Sequence, residues 1–237
     1  MCTVSFVNIN GKVIITSNRD EQRLRQALEP ISYIIKRKQV YFPKDPKAGG
    51  TWFAVDEFSN VVVLLNGAAE KHQWNPPYRR SRGLIVLDII GEEDPILQWK
   101  KIDLDNIEPF TIILYQQNRL FQLRWNGTEK ELVVLNPKKN HIWSSSTLYP
   151  SDIRKNRSQW FEKFLYSRET ISESDLHHFH QYTEIQNHDN GLVINRNNIL
   201  QTLSITQTVI QDNKVGINHL DLLSNTESSQ SFLTTTF

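Results

Sequence analysis

The chain has 237 residues, of which 38% are hydrophobic and 22% charged, enough for a sizeable core and too apolar for wholesale disorder. A formal net charge of +1 argues against a dedicated nucleic-acid binder. The single cysteine excludes an intramolecular disulfide and a zinc site built on several thiolates.

Taken in order, Thr3 to Ile9 reads as a strand, Asn10-Gly11 as a hairpin turn, and Lys12 to Thr16 as the answering strand. Glu21 to Ile31 takes a helical pattern, with Leu24 and Leu28 four apart, until Pro30 weakens it. Trp52 to Phe58 and Asn60 to Leu65 form a second predicted hairpin. Ser81 to Ile90 is apolar at helical spacing and Gly91 stops it. Strands follow at Phe110 to Tyr115, Leu120 to Trp125 and Glu131 to Leu135, with Asn126-Gly127 turning the last pair, and then at His141 to Ser145. Asn126-Gly127-Thr128 also matches a glycosylation triplet, but in a cytosolic chain it reads as that turn. Ser151 to Tyr166 is a predicted helix, since Trp160, Phe161, Phe164 and Leu165 share a face, and Asp175 to Tyr182 is a second one. Leu192 to Ile194 and Leu203 to Ile210 close the series as strands. The polar stretch from Ser224 onward reads as a frayed tail, so 1–237 is expected to be one domain with 224–237 trailing from it. Strands and helices are grouped rather than alternating, which predicts a largely antiparallel α+β sandwich. The opening residues lack the pattern of a secretory signal, and no run approaches the ~20 apolar residues of a membrane span, so the expected compartment is cytoplasmic, with no integral membrane segment.

Cys2 follows the initiator methionine. Trimming Met1 would expose a thiol and an α-amine on one residue, with reference pKa values of about 8.5 and 7.7–8.0, so the nucleophile would bring its own base. The alternative is a small residue at position 2 and nothing more. Asn18-Arg19-Asp20-Glu21 ends the second strand. An arginine near the thiol favours thiolate, and a carboxylate can hold the amine. Strand neighbours point to opposite faces, however, and the same residues also fit a helix N-cap. Gly49-Gly50-Thr51-Trp52 shapes either a pocket wall or a tight turn. Asn66-Gly67 is either a donor or a strand-ending turn. The arginines before the second helix, Arg82 among them, either bind an anionic group at the helix N-terminus or form a solvated basic loop. His177, His178 and His180 crowd one segment without a carboxylate at diagnostic spacing, and no metal or cofactor is expected.

Met-Cys-Thr, Asn18-Arg19-Asp20-Glu21, Gly49-Gly50-Thr51-Trp52, Leu64-Leu65-Asn66-Gly67 and Ser81-Arg82-Gly83 occur in that order and together resemble the NRDE family. The resemblance implies a four-layer αββα sandwich of the N-terminal-nucleophile hydrolase type, distantly similar to the choloylglycine and penicillin V acylases. Carried over residue by residue, it implies Cys2 as nucleophile, Asp20 holding its amine, Arg19 as charge partner and Asn66 as oxyanion donor. Asn18, Trp52 and Arg82 fall in its motifs as pocket or ligand-binding candidates. Ser145 lies in Trp143-Ser144-Ser145-Ser146, where a second asparagine is expected. The implied function is a cysteine amidohydrolase cutting a non-peptide C–N bond of a small acylated or lipid-like molecule. The other implied class is a non-catalytic binding or trafficking protein for lipid, acyl-CoA or haem, linked to Golgi organisation.

Overall fold

The computed structural model describes residues 2–235, with the side chain of Cys2 outside the described residues. Strands β1 (Cys2–Ile9) and β2 (Lys12–Gln22) form a hairpin whose turn holds Asn10 and Gly11 at φ of 52° and 85°. These are the positive values that favour Asn-Gly in a two-residue loop. There follow β3 (Leu28–Ile35), β4 (Lys38–Lys44), β5 (Phe53–Asp56), β6 (Val61–Asn66), helices α1 (Arg82–Ile90) and α2 (Pro95–Lys101), and strands β7 (Phe110–Gln116), β8 (Arg119–Trp125), β9 (Lys130–Leu135) and β10 (His141–Ser144). Helices α3 (Ser151–Tyr166) and α4 (Glu173–Tyr182) precede β11 (Asn195–Arg196), β12 (Leu200–Gln211), β13 (Lys214–Asp221) and β14 (Thr226–Leu233).

Two antiparallel sheets result. One runs β10-β1-β2-β12-β13-β14, with β11 on β12; the other runs β3 to β9 in chain order. Alternation along β1 and β2 determines the layering. Val4, Phe6, Val13 and Ile15 enter the core shared with the second sheet, whereas Val7 and Ile14 face the opposite way, onto Phe161 and Phe164 of α3 and Leu176 and Phe179 of α4. Each of these phenylalanines stabilises by roughly 1.5–3 kcal/mol through burial. On the other side α1 packs on β5 and β6 through residues such as Ile85 and Ile89. The order of layers is helix, sheet, sheet, helix, the predicted αββα sandwich.

Local signals account for much of this. Ser81 caps α1, its Oγ accepting from the Gly83 N–H at 3.3 Å. Asn126 Oδ1 accepts from the Thr128 and Glu129 amides at 2.8 and 2.7 Å, which makes the Asn-Gly segment a turn between β8 and β9.

Four expectations are corrected. The helix expected over Glu21 to Ile31 is absent: β2 continues to Gln22, paired with Leu200, and β3 starts at Leu28. The supposed apolar face had nothing to bury against, since Leu24 is 99% exposed, and the sheet ladder prevails over a weak helical period. The N-cap reading of Asn18 and Glu21 falls with that helix. The supposed tail contains β14, bonded to β13 along its length, with Phe232 stacked 4.1 Å from Tyr41. An edge strand with one wet face is polar by nature, and its Ser/Thr content disguised it. Leu192 to Ile194 is not a strand; Leu192 is apolar because it joins the core under α3 and α4. Strands β4 and β13 and helix α2 have no counterpart among the predicted elements.

Candidate active site

Strand β2 has eight consecutive buried residues. A strand buried on both faces is ordinarily a continuous apolar run. Here Thr16 to Asp20 are polar or charged and still 0–4% exposed, so their partners define the site.

The register places Cys2 opposite Arg19 and Thr3 opposite Asn18. Side chains alternate from there. Arg19 lies on the inter-sheet face, its guanidinium 4.5 Å over the Trp52 ring, with Nη1 donating to the Arg25 carbonyl at 2.7 Å. Asp45 Oδ2 is 3.8 Å from Arg19 and 2.6 Å from Arg25, and Arg25 also reaches Glu21 at 3.1 Å.

Asn18 and Asp20 take the helix-facing side. Asp20 accepts from Tyr149 Oη at 2.6 Å and Thr202 Oγ1 at 2.7 Å. Burial raises its pKa above the ordinary carboxylate value, opposed by the Arg157 charge and by those two hydrogen bonds. Tyr149, also buried, is pushed well above the usual phenol range by burial and then by the Asp20 charge. Arg157 is wholly buried, lies 3.5 Å over the Tyr149 ring, and donates to Thr3 Oγ1 and the Gly191 carbonyl. Asn18 donates to the carbonyls of His180 at 3.0 Å and Leu192 at 2.7 Å, tying β2 to α4. Arg19 and Asp20 are therefore held on opposite faces of the strand.

Arg19, Trp52, Asn66 and Arg82 line one cleft of about 70 Å³. The glycine motifs explain its shape. A Cβ on Gly50 would lie 2.3 Å from the Gly83 carbonyl carbon, and Thr51 N–H bonds the Gly83 carbonyl at 3.1 Å. Gly-Gly-Thr-Trp and Ser-Arg-Gly are thus two halves of one backbone contact. Trp52 is 5% exposed and its Nε1–H has no hydrogen-bond partner among the described residues. Asn66 ends β6, its carbonyl accepting from Ser145 Oγ at 2.7 Å. Gly67 follows at φ +82°, where a Cβ would strike Ser146 Oγ at 2.3 Å. Arg82 is anchored by Glu108 at 2.9 Å and the Pro109 carbonyl at 3.1 Å, and burial lowers its pKa while Glu108 opposes the shift. Its neighbours Arg79 and Arg80 are paired with Asp103 and Asp88. The basic segment is therefore largely neutralised where it stands.

The histidines of α4 diverge. His180 is buried between Ser5 Oγ, at 2.7 Å, and Asn18, and burial lowers its pKa to about 3; His178 packs against Tyr182 with the rings tilted by 45°. Tyr149, Arg157 and Thr202 escaped sequence reading, since each becomes functional-looking only through contacts more than 100 residues away in the chain.

No curated protein matches the chain. Among solved structures it is similar to a Caenorhabditis elegans ortholog of N-acylethanolamine-hydrolyzing acid amidase, with a TM-score of 0.60 and 13% identity over 87% of this chain and 92% of that one. It is also similar to two variants of conjugated bile acid hydrolase from Clostridium perfringens, with TM-scores of 0.51 and 0.52 and identities of 8% and 9%, covering 100% of this chain and 99% of each. At these identities the likeness shows the fold, an N-terminal-nucleophile hydrolase sandwich. The Transport and Golgi organisation 2 profile matches residues 1–227, and the chain belongs to that family.

Proposed function

We propose that the chain is a cysteine amidohydrolase, cytoplasmic, acting on a non-peptide C–N bond of a small acylated, lipid-like substrate, with Cys2 as nucleophile once Met1 is removed. The observation that carries this reading is the pairing of Cys2 with Arg19, whose guanidinium lines the cleft shared with Trp52 and Asn66. The α-amine takes the thiol proton, and the Arg19 charge favours the thiolate. Sulfur attacks the substrate carbonyl, and the oxyanion is received by the Asn66 carboxamide and the Trp52 Nε1–H, which has no partner among the described residues. The C–N bond breaks, the amine leaves with the proton from the α-ammonium, and water cleaves the thioester to restore the thiol. Asn18 fixes β2 against α4, Ser145 fixes the Asn66 backbone, and Arg82 forms the cleft wall.

One observation favours the second reading, a ligand carrier without turnover. Asp20, the residue expected to hold the amine, already accepts from Tyr149 and Thr202, and burial raises its pKa, which disfavours the charged carboxylate.

Intact-mass spectrometry after brief iodoacetamide treatment at neutral pH separates the two. Cys2 is the sole cysteine, so any thiol adduct has one address. Loss of Met1 with one rapid adduct is expected; retained Met1, or a trimmed chain whose thiol reacts no faster than free cysteine, overturns the hydrolase reading.

A further inference from the structure

A second cavity, of about 150 Å³, opens on the other side of the β6 terminus, lined by Arg124, Arg154, Trp143, Ser144 and Ser158 among others. No aspartate or glutamate is among its described lining residues. The ion-pair partners of the two arginines lie outside it and are well exposed: Glu131 is 3.3 Å from Arg124 and 53% exposed, and Glu70 is 3.2 Å from Arg154 and 80% exposed. Such pairs are weak and screened by salt.

The Nε–H groups of Arg124 and Arg154 are both buried without a hydrogen-bond partner among the described residues, while Arg154 Nη1 donates to the Ala69 carbonyl at 2.8 Å. Several hydroxyl protons in the wall are committed to carbonyls: Ser145 to Asn66 at 2.7 Å, Thr111 to Gly67 at 2.9 Å, Ser158 to Arg154 at 3.1 Å. Those bonds hold the walls in place. What remains is two guanidinium groups held only by exposed glutamates and one backbone carbonyl, on a cavity also lined by Trp143, whose own Nε1–H donates to Gln122 at 3.0 Å.

We propose that this cavity binds a phosphate group, received by Arg124 and Arg154. An acceptor-only ligand with several oxygens can engage both guanidinium groups that line the cavity, where no carboxylate competes, and a divalent anion matches two guanidiniums better than a single carboxylate does. The proposal is independent of the reading of Cys2, and its test involves no turnover.

The test is a titration of the ¹⁵N-labelled full chain with inorganic phosphate, with chloride and acetate as controls at matched ionic strength. It reads the Trp143 indole N–H signal, assigned with Trp143→Phe. Phosphate is expected to give a saturable shift that chloride and acetate do not, and Arg124→Gln and Arg154→Gln are each expected to weaken binding roughly tenfold or more. Should Arg154→Gln disturb α3, Arg124→Gln alone decides, with retained spectral dispersion showing that it is folded. Glycerol 3-phosphate distinguishes the source of the group: binding at least as tight as inorganic phosphate assigns the cavity to a phosphate ester, and its exclusion assigns it to the free ion. No saturable shift, an equal response to acetate, or undiminished binding in the Arg124 variant overturns the proposal.

Discussion

Arg19 and Asp20 are adjacent in sequence, yet each acts on a different face of β2. Arg19 stands over Trp52 in the cleft, and Asp20 is sealed beneath Tyr149 and Thr202. Strand alternation made this separation legible from sequence; the buried partners of Asp20 were not, because no local pattern connects residue 20 to residues 149 and 202. Arg19→Gln removes the positive charge from the position paired with Cys2, so the thiol pKa is expected to rise by about one unit and the iodoacetamide rate at neutral pH to fall ~10-fold. Stopped-time mass spectrometry reads it, and an unchanged rate denies Arg19 that role. Tyr149→Phe keeps the ring under Arg157 but removes the donor to Asp20. Losing a hydrogen bond to a charged, buried acceptor costs about 1.5–3 kcal/mol, read as a shift in urea midpoint. A change well under 1 kcal/mol would mean that Asp20 is already protonated in the folded chain.

Whole elements were readable where a local signal agreed with the tertiary demand. Helix α3 spans the residues its aromatic face predicted, and α1 starts at a serine cap and stops at Gly91. The segment after β2 failed because its spacing fitted a helix while Glu21 and Gln22 had strand partners in β12, far along the chain. Strand β14 failed for the opposite reason, having little apolar pattern of its own. Among the motifs, Gly50 and Gly83 drew attention without revealing that they touch. Gly50→Ala tests that contact. A Cβ set 2.3 Å from backbone cannot be relieved by a side-chain rotation, so about 2–3 kcal/mol of destabilisation is expected. At roughly 2–4 °C per kcal/mol for a chain of this size, melting should fall by about 5–10 °C. A melting temperature within a degree of wild type would show that the two loops yield independently. Truncation after Asn225 tests β14. It uncovers the β13 edge and strips Phe232 from Tyr41, so the shortened chain is expected to elute as higher oligomers in size-exclusion chromatography. A monodisperse peak at the full chain's oligomeric state would make β14 dispensable.

Across the whole molecule, two layers each carry a histidine that folding keeps neutral. His180 lies between β1, β2 and α4, and His219 lies between the sheets, where its Nδ1 bonds Thr206 Oγ1 at 2.9 Å. Burial lowers their pKa values to about 3 and about 4. An unfolded histidine titrates near 6.5, so below that pH the unfolded chain binds protons that the folded chain refuses. Stability is therefore complete above about pH 6.5 and is lost as pH falls towards 4, at a slope on the order of 1 kcal/mol per pH unit for each residue. Asp20 acts with the opposite sign. Its folded pKa is raised, so its contribution is present at low pH and is lost as pH rises through the folded value, which partly offsets the histidines in the acid range. His177, whose pKa burial also lowers, adds to the other two histidines, and together they leave a net acid lability. Urea unfolding between pH 7 and 4.5 should show the midpoint falling with pH, and His219→Gln should flatten the decline by half or more. His180→Gln is the less clean probe, because the ring also bonds Ser5 and Asn18 and its loss loosens the strand that carries the site. A midpoint that holds constant to pH 4.5 would mean that these histidines are protonated in place, and that the polar seams on both sides of the first sheet admit water.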